Sequence, residues 1–198
     1  MQADYCFLGR RDEEGDTITV LTVTVEKDGD LLTVYARQKG AGDVYAVAST
    51  VAFLNEMPFK KFFFQVDPES STEELQRAIC GKIEGAMPRL SPKESKGSLG
   101  LAENANKRGE AQLRKEQAKL KKRLNVRLTK NELLTPWAIR NCAFILNHFQ
   151  PGNDGLTVHK RIHGEDYKGA MLNFGEKCQF KERREQGKLE DRWPFGIW

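Results

Sequence analysis

Apolar and polar positions along the chain fall into short segments whose period changes from one to the next. Residues 2–8, QADYCFL, form a short apolar run that predicts a strand. TITVLTVTVEKDGDLLTVYARQ, residues 17–38, holds two β-rich runs joined by Lys27-Asp28-Gly29-Asp30. An Asp-Gly step between such runs predicts a hairpin. Val44, Val47, Ala48, Val51 and Leu54 then recur at helical spacing, with Asp43 placed as the N-cap. KKFFFQVD reads as a buried strand. SSTEELQRAICGKI opens with Ser71-x-x-Glu74, a capping box that predicts a helix. GAMPRLSPKESKGSLG is rich in Gly, Pro, Ser and Lys and reads as a mobile loop. A long helix is expected over residues 99–124. Another is expected over 137–149, with Ile139, Cys142, Ala143, Leu146 and Phe149 on one face, ended by QPGNDG. The tail from Met171 alternates short β runs with turns, like the start of a small β-barrel, and there is no internal repeat.

The order β-β-β-α-β-α-loop-α-α predicts an α/β fold. An antiparallel triplet plus a strand reached through a helix makes a mixed sheet with helices on its faces. Composition agrees: the 198 residues are 39% hydrophobic and 30% charged, with net charge +4, a globular balance that allows a sizeable core. No apolar run approaches the ~18 residues of a transmembrane helix. The start, MQADYCFLGRRDEEGD, lacks the basic-then-apolar order of a signal peptide. Cys6, Cys80, Cys142 and Cys178 are widely spaced without a C-x-x-C, so they read as buried or inert thiols in a reducing compartment.

Charge is uneven. Residues 1–66 carry a net −3, whereas residues 107–130 carry +8. Such a field attracts polyanions, and the basic helix reads either as a solvated face or as a surface for phosphates.

Three carboxylates stand out by position: Asp4 in the first strand, Asp67 at the carboxyl end of the strand reached through a helix, and Glu103 in the first turn of the long helix. Active groups of open α/β sheets collect beyond the carboxyl ends of strands. Three converging carboxylates repel unless a cation neutralises them, and hard oxygen ligands select Mg²⁺ or Mn²⁺. Two such ions about 3.5–4 Å apart suit phosphodiester displacement. Taken singly, Asp4 is an exposed strand-end acid, Asp67 before Pro68 a turn or cap residue, and Glu103 a surface acid paired with Lys107 at i+4. His159 and His163 make an H-x-x-x-H without an evident third ligand, which speaks against a metal site there.

Thirty-five residues separate Asp67 from Glu103. With ADYCFL at the first Asp, FFQVDPES at the second and a Gly-Ser loop running into GLAEN at the Glu, the chain resembles the integrase region of an LTR-retrotransposon or retroviral Pol polyprotein. Asn106 and Lys107 match the pair that family places beside the DNA end. PWAIRNCAFILNHFQ resembles its last core helix, DGLTVHKRIHG the segment after it, and FGEKCQFK…KLEDRWPFGIW its C-terminal β module. The resemblance implies a ribonuclease-H-like mixed five-stranded sheet flanked by helices, plus a partial SH3-like β-barrel. Residues 1–150 would form the catalytic core, 151–170 a connector and 171–198 a truncated C-terminal module, so the chain would be a fragment of a longer polyprotein.

The implied activity is DNA integration. A polynucleotidyl transferase would use two Mg²⁺ or Mn²⁺ ions, held by Asp4, Asp67 and Glu103, for 3′-end processing of element DNA and its transfer into target DNA. Lys107 and Arg114 would grip phosphate and Asn106 the DNA end, with the protein acting as a homo-oligomer on DNA, without a membrane; the compartment stays open, an intracellular setting that includes the nucleus being compatible. The family's His-His-Cys-Cys zinc head is missing, and Val158, His159 and Lys160 replace its Pro-Tyr-Glu. An inactive or domesticated remnant that only binds nucleic acid is the alternative. A ribonuclease H acting on RNA–DNA hybrids would want a fourth carboxylate, for which Glu69 is the one candidate, and the apolar residues of 99–130 are too sparse for a coiled-coil arm.

Overall fold

The computed structural model describes residues 1–9, 17–92, 97–181 and 193–197. Its centre is strand β1 (Gln2–Leu8), which has a different kind of neighbour on each side. β2 (Ile18–Thr24) runs antiparallel to it, in register from Gln2↔Thr24 to Leu8↔Ile18. β3 (Leu31–Ala36) pairs antiparallel with β2 across the expected hairpin. Val25 N–H donates to the Asp30 carbonyl at 2.9 Å, and Gly29 takes φ 76°, a left-handed value that glycine adopts without strain.

On the other side, β4 (Phe62–Val66) pairs parallel with β1, with Gln2 opposite Gln65. A parallel pair needs a crossover, and α1 (Val44–Asn55) supplies it, its first turn capped by the Asp43 side chain on Ala46 N at 2.9 Å. α2 (Ser70–Cys80) leads on to β5 (Ala86–Leu90), which extends the sheet to the order β3-β2-β1-β4-β5. α3 (Gly100–Leu124), α4 (Thr135–Phe149) and the short α5 (Val158–His163) follow.

Alternation along the strands sorts their side chains into two cores. Ala3, Tyr5, Leu21, Val23, Leu32, Val34, Phe64 and Val66 pack with Val47, Leu54, Leu75 and Ile79 of α1 and α2. Ile18, Val20 and Leu31 face the other way, towards Ala105 of α3 and Ile139, Ala143 and Leu146 of α4. Each fully buried large side chain, such as Leu21 or Phe64, contributes roughly 1.5–3 kcal/mol. By the same parity Gln2 and Asp4 of β1, and Gln65 and Asp67 of the β4 line, lie on the α3 side of the sheet.

Three local expectations are corrected. β5 lies in the segment read as a loop. It is an exposed edge strand, where Pro88 is tolerated because an edge residue needs no ladder N–H on its outer side. The Ser71-x-x-Glu74 capping box does not form. α2 starts at Ser70 after Glu69, and Thr72 Oγ1 donates instead to the carbonyls of Asp67 and Glu69, at 2.7 and 2.8 Å. α4 starts two residues earlier than expected, with Pro136 in its first turn. Lys177–Gln179 (β6) and Phe195–Ile197 (β7) make a two-stranded antiparallel hairpin, and among the described residues no closed barrel is formed. Among the described residues no helix is long and apolar enough to cross a membrane. The cysteines are free, and burial pushes the Cys6 and Cys142 thiols up to about 12, so neither is a ready nucleophile.

Asp30, at the foot of β3, is 8% exposed. Its Oδ1 accepts from Leu31 N–H at 2.8 Å and from Asn147 Nδ2 at 2.6 Å, which pins the hairpin to α4. Burial raises its carboxyl from 3.8 to about 6. The folded state therefore binds this proton more tightly than the unfolded chain. The stabilisation is full below about 3.8 and is lost as pH rises through about 6, so ionised Asp30 costs roughly 2–3 kcal/mol at neutral pH. Asp30→Asn is expected to be more stable than wild type at pH 7.5 and to flatten the rise of the melting temperature on acidification from pH 7 to 4. Thermal melts across that range check both.

Candidate active site

Asp4 is the hub. It sits half-buried in the middle of β1 on the α3 side. Its Oδ1 accepts from Tyr5 N–H at 2.8 Å, and its Oδ2 accepts from Asn106 Nδ2 of α3 at 3.0 Å. Burial raises its carboxyl pKa, the two hydrogen bonds oppose the rise, and the negative charges of Asp67 and Glu103 add to it. The three carboxylates singled out in the sequence are thus near enough for the charges of Asp67 and Glu103 to act on Asp4. The parallel β1–β4 pairing underlies the first pair: Gln2 is the register partner of Gln65, and each aspartate lies two residues further along the chain. Glu103 joins them because α3 begins against β1.

Contact by charge is not closure. Asp67, one residue past β4, and Glu103, in the first turn of α3, are both exposed. Among the described residues no group of three or more His, Cys, Asp or Glu side chains comes together to hold a metal ion. The physical reason is the one that singled them out: without a counter-charge, exposed carboxylates stay apart in water. The donor set itself fits a hard divalent cation, since every member offers carboxylate oxygen, and the unbalanced charge around Asp4 is what such an ion neutralises. Glu103 makes no ion pair with Lys107 among the described residues. The ion pairs along α3 are Arg114–Glu110 at 2.8 Å and Lys119–Glu116 at 3.0 Å.

The three residues assigned to DNA lie in different surroundings. Asn106 is 9% exposed and faces the sheet, where its Nδ2 holds Asp4 and its Oδ1 is buried without a partner. Lys107 is exposed on the stripe that also carries Glu103, Glu110 and Arg114. Arg114 is already engaged by Glu110 and borders a cavity of about 370 Å³ beside Phe7, Leu8 and Leu113. The two acids within the basic run, Glu110 and Glu116, each pair with a base of the helix, and Glu116 is buried, accepting from Gln112 at 2.9 Å.

His148, His159 and His163 stack rather than converge, with ring centroids 5.1 and 4.4 Å apart in turn, and His148 Nδ1 hydrogen-bonds the Phe144 carbonyl at 2.8 Å. Two residues at the site escaped the sequence reading, Gln2 and Gln65, whose side chains reach the start of α3. The signal that would have found them is the Gln-x-Asp spacing shared by both strands.

No family model matches the chain, and no curated protein matches it in sequence. Solved structures do. Over 99% of its length the chain aligns with a chain from the cryo-EM structure of the simian T-cell lymphotropic virus intasome in complex with the PP2A regulatory subunit B56 gamma, at TM-score 0.63 and 13% identity. It spans 66% of that chain. It also aligns, over 80% of its own length and 92% of the other, with the HTLV-2 integrase catalytic core domain in complex with magnesium in a trimeric form, at TM-score 0.56 and 14% identity. For the dimeric form of that domain the figures are 79% and 90%, at TM-score 0.54 and 14% identity. Identity at this level speaks for the fold: a five-stranded mixed sheet between helices, the ribonuclease-H-like fold of retroviral integrase catalytic core domains.

Asn106→Asp would set a fourth carboxylate against Asp4 in place of an amide donor. It is expected to cost about 1–3 kcal/mol at pH 7.5 and to regain much of that below pH 4, as read from melting temperatures across the range.

Proposed function

We propose that the chain is the catalytic core of a polynucleotidyl transferase of the retroviral integrase type, from the Pol polyprotein of a retroelement. It would trim the 3′ ends of element DNA and join them to target DNA. The observation that carries this reading is the crowding of Asp67 and Glu103 charge on a half-buried Asp4, within the fold of integrase catalytic cores. In this reading residues 1–150 are the core, 151–170 a connector and 171–198 a C-terminal β module, of which the β6–β7 hairpin is a part.

Asp4 and Asp67 would hold one Mg²⁺ or Mn²⁺, and Asp4 and Glu103 a second. When bound, such a pair supplies neutralising charge and Lewis acidity for phosphodiester displacement. The chain's own residues do the rest. Tyr5 N–H and Asn106 Nδ2 each hold one Asp4 oxygen, which fixes the carboxylate plane. Lys107, exposed one turn beyond Glu103, meets DNA phosphate without reading its sequence. Arg114 does the same two turns further on, provided phosphate displaces or shares Glu110. Asn106 acts on the DNA end through Asp4, since its own amide faces inward. Assembly as a homo-oligomer on DNA belongs to the same reading.

One observation favours a second reading, a DNA-binding remnant without catalysis: the carboxylates do not close into a metal-holding group among the described residues. A nicking and strand-transfer assay with Mg²⁺ or Mn²⁺ separates the two. Wild type is expected to cut and join DNA only with the metal, and Glu103→Gln to lose on the order of 10²–10³-fold in rate. Metal-independent binding with no activity in either protein selects the remnant. For Lys107→Ala, DNA affinity should fall evenly across sequences, and the slope of log affinity against log salt should shrink by about 0.9, the loss of one phosphate contact.

A further inference from the structure

Each of the two aspartates follows a strand glutamine by two residues: Gln2-Ala3-Asp4 in β1, and Gln65-Val66-Asp67 running off the end of β4. A spacing of two puts glutamine and aspartate on the same face. The two glutamines are also register partners in the parallel ladder. Both reach one carbonyl: Ser98 O accepts from Gln2 Nε2 at 3.0 Å and from Gln65 Nε2 at 3.1 Å. Gln65 Nε2 also donates to Ser91 Oγ at 3.1 Å.

The other end of the Gln2 amide does something more specific. Its Oε1 accepts from Leu101 N–H at 3.1 Å and Ala102 N–H at 3.2 Å, the second and third amides of α3. Those amides are ordinarily served by the side chain of the N-cap residue. Here the N-cap is Leu99, which has no polar side chain and is buried. A strand nearly a hundred residues away in the chain supplies the missing cap.

The next residue is Glu103, whose amide makes the first turn's bond to Leu99 O at 2.9 Å. Its carboxylate is exposed and, among the described residues, held by no ion pair. Its placement therefore depends on the backbone of that turn. A slip of one residue would rotate it by about 100° around the helix axis.

We propose that Gln2 and Gln65 are positioning residues for Glu103, a latch that fixes the first turn of α3 against the strands carrying Asp4 and Asp67. The inference rests on the transferase reading above. It adds that the two strands supplying carboxylates also set the register of the helix that supplies the third.

The test uses Gln2→Ala, Gln65→Ala and Gln2→Glu, the last keeping the acceptor for Leu101 and Ala102. Amide exchange by NMR on the metal-free protein should speed up at Leu101 and Ala102 on the order of 10-fold in Gln2→Ala, and recover in Gln2→Glu. The Mn²⁺ dissociation constant should rise 10-fold or more in Gln2→Ala, and Gln65→Ala should raise it as well. In the nicking assay kcat should fall while KM for DNA stays put. Unchanged exchange overturns the latch. Faster exchange with unchanged Mn²⁺ affinity overturns the positioning role. A wild type that binds Mn²⁺ while both alanine variants match it sinks this inference alone, whereas a wild type that binds none sinks the transferase reading on which it rests. Should Gln2→Ala fail to fold, Gln65→Ala carries the same comparison from the neighbouring strand.

Discussion

The parallel pairing of β1 with β4 is the constraint on which the rest depends. It forces a crossover, so α1 must cover one face of the sheet. It leaves β1 with an antiparallel neighbour on one side and a parallel one on the other, which makes the sheet mixed. It also brings two aspartates from distant parts of the chain close together, one in β1 and one just past the end of β4. Had β4 run the other way, Asp67 would lie at the opposite end of the sheet from its present place, and no helix could meet both acids.

Electrostatics then works against the arrangement that topology provides. Burial and two like charges act on Asp4, and only Tyr5 N–H and Asn106 answer them. Asp4 is half-buried in a paired strand, whereas Asp67 and Glu103 lie where water can solvate them. In the proposed reading, a counter-charge would relieve the repulsion between one half-buried acid and two exposed ones. This is the sense in which the fold and the chemistry of the carboxylates point the same way.

Much of the fold was legible in the chain. The Val-Thr-Leu alternation around Asp28-Gly29 and the i, i+3, i+4 spacing from Val44 to Leu54 follow local rules with short reach. β5 was not legible, because an exposed edge strand with Pro88 carries almost no apolar pattern. The capping box at Ser71 misled, because the helix starts one residue before it, at Ser70, and the Ser71 hydroxyl donates to the Glu69 carboxylate. At the site, spacing and flanking residues picked out Asp4, Asp67 and Glu103. Which way Asn106 points was hidden, since α3 buries Asn106, Gln112 and Glu116 where a helix ordinarily buries leucine. Gln2 and Gln65 share a Gln-x-Asp spacing, but their bonds to Ser98, 96 and 33 positions away, leave no periodic trace.

That polar underside of α3 has a mechanical meaning. A greasy helix face tolerates sliding, because one leucine contact is much like the next. A face built from small side chains and directional bonds behaves more like a toothed key. Ala102 and Ala105 allow close approach, Asn106 engages Asp4, and the first turn engages Gln2. Moving the helix by a single step along the sheet would disengage all of them at once, so α3 has one seat on the sheet rather than a range of them.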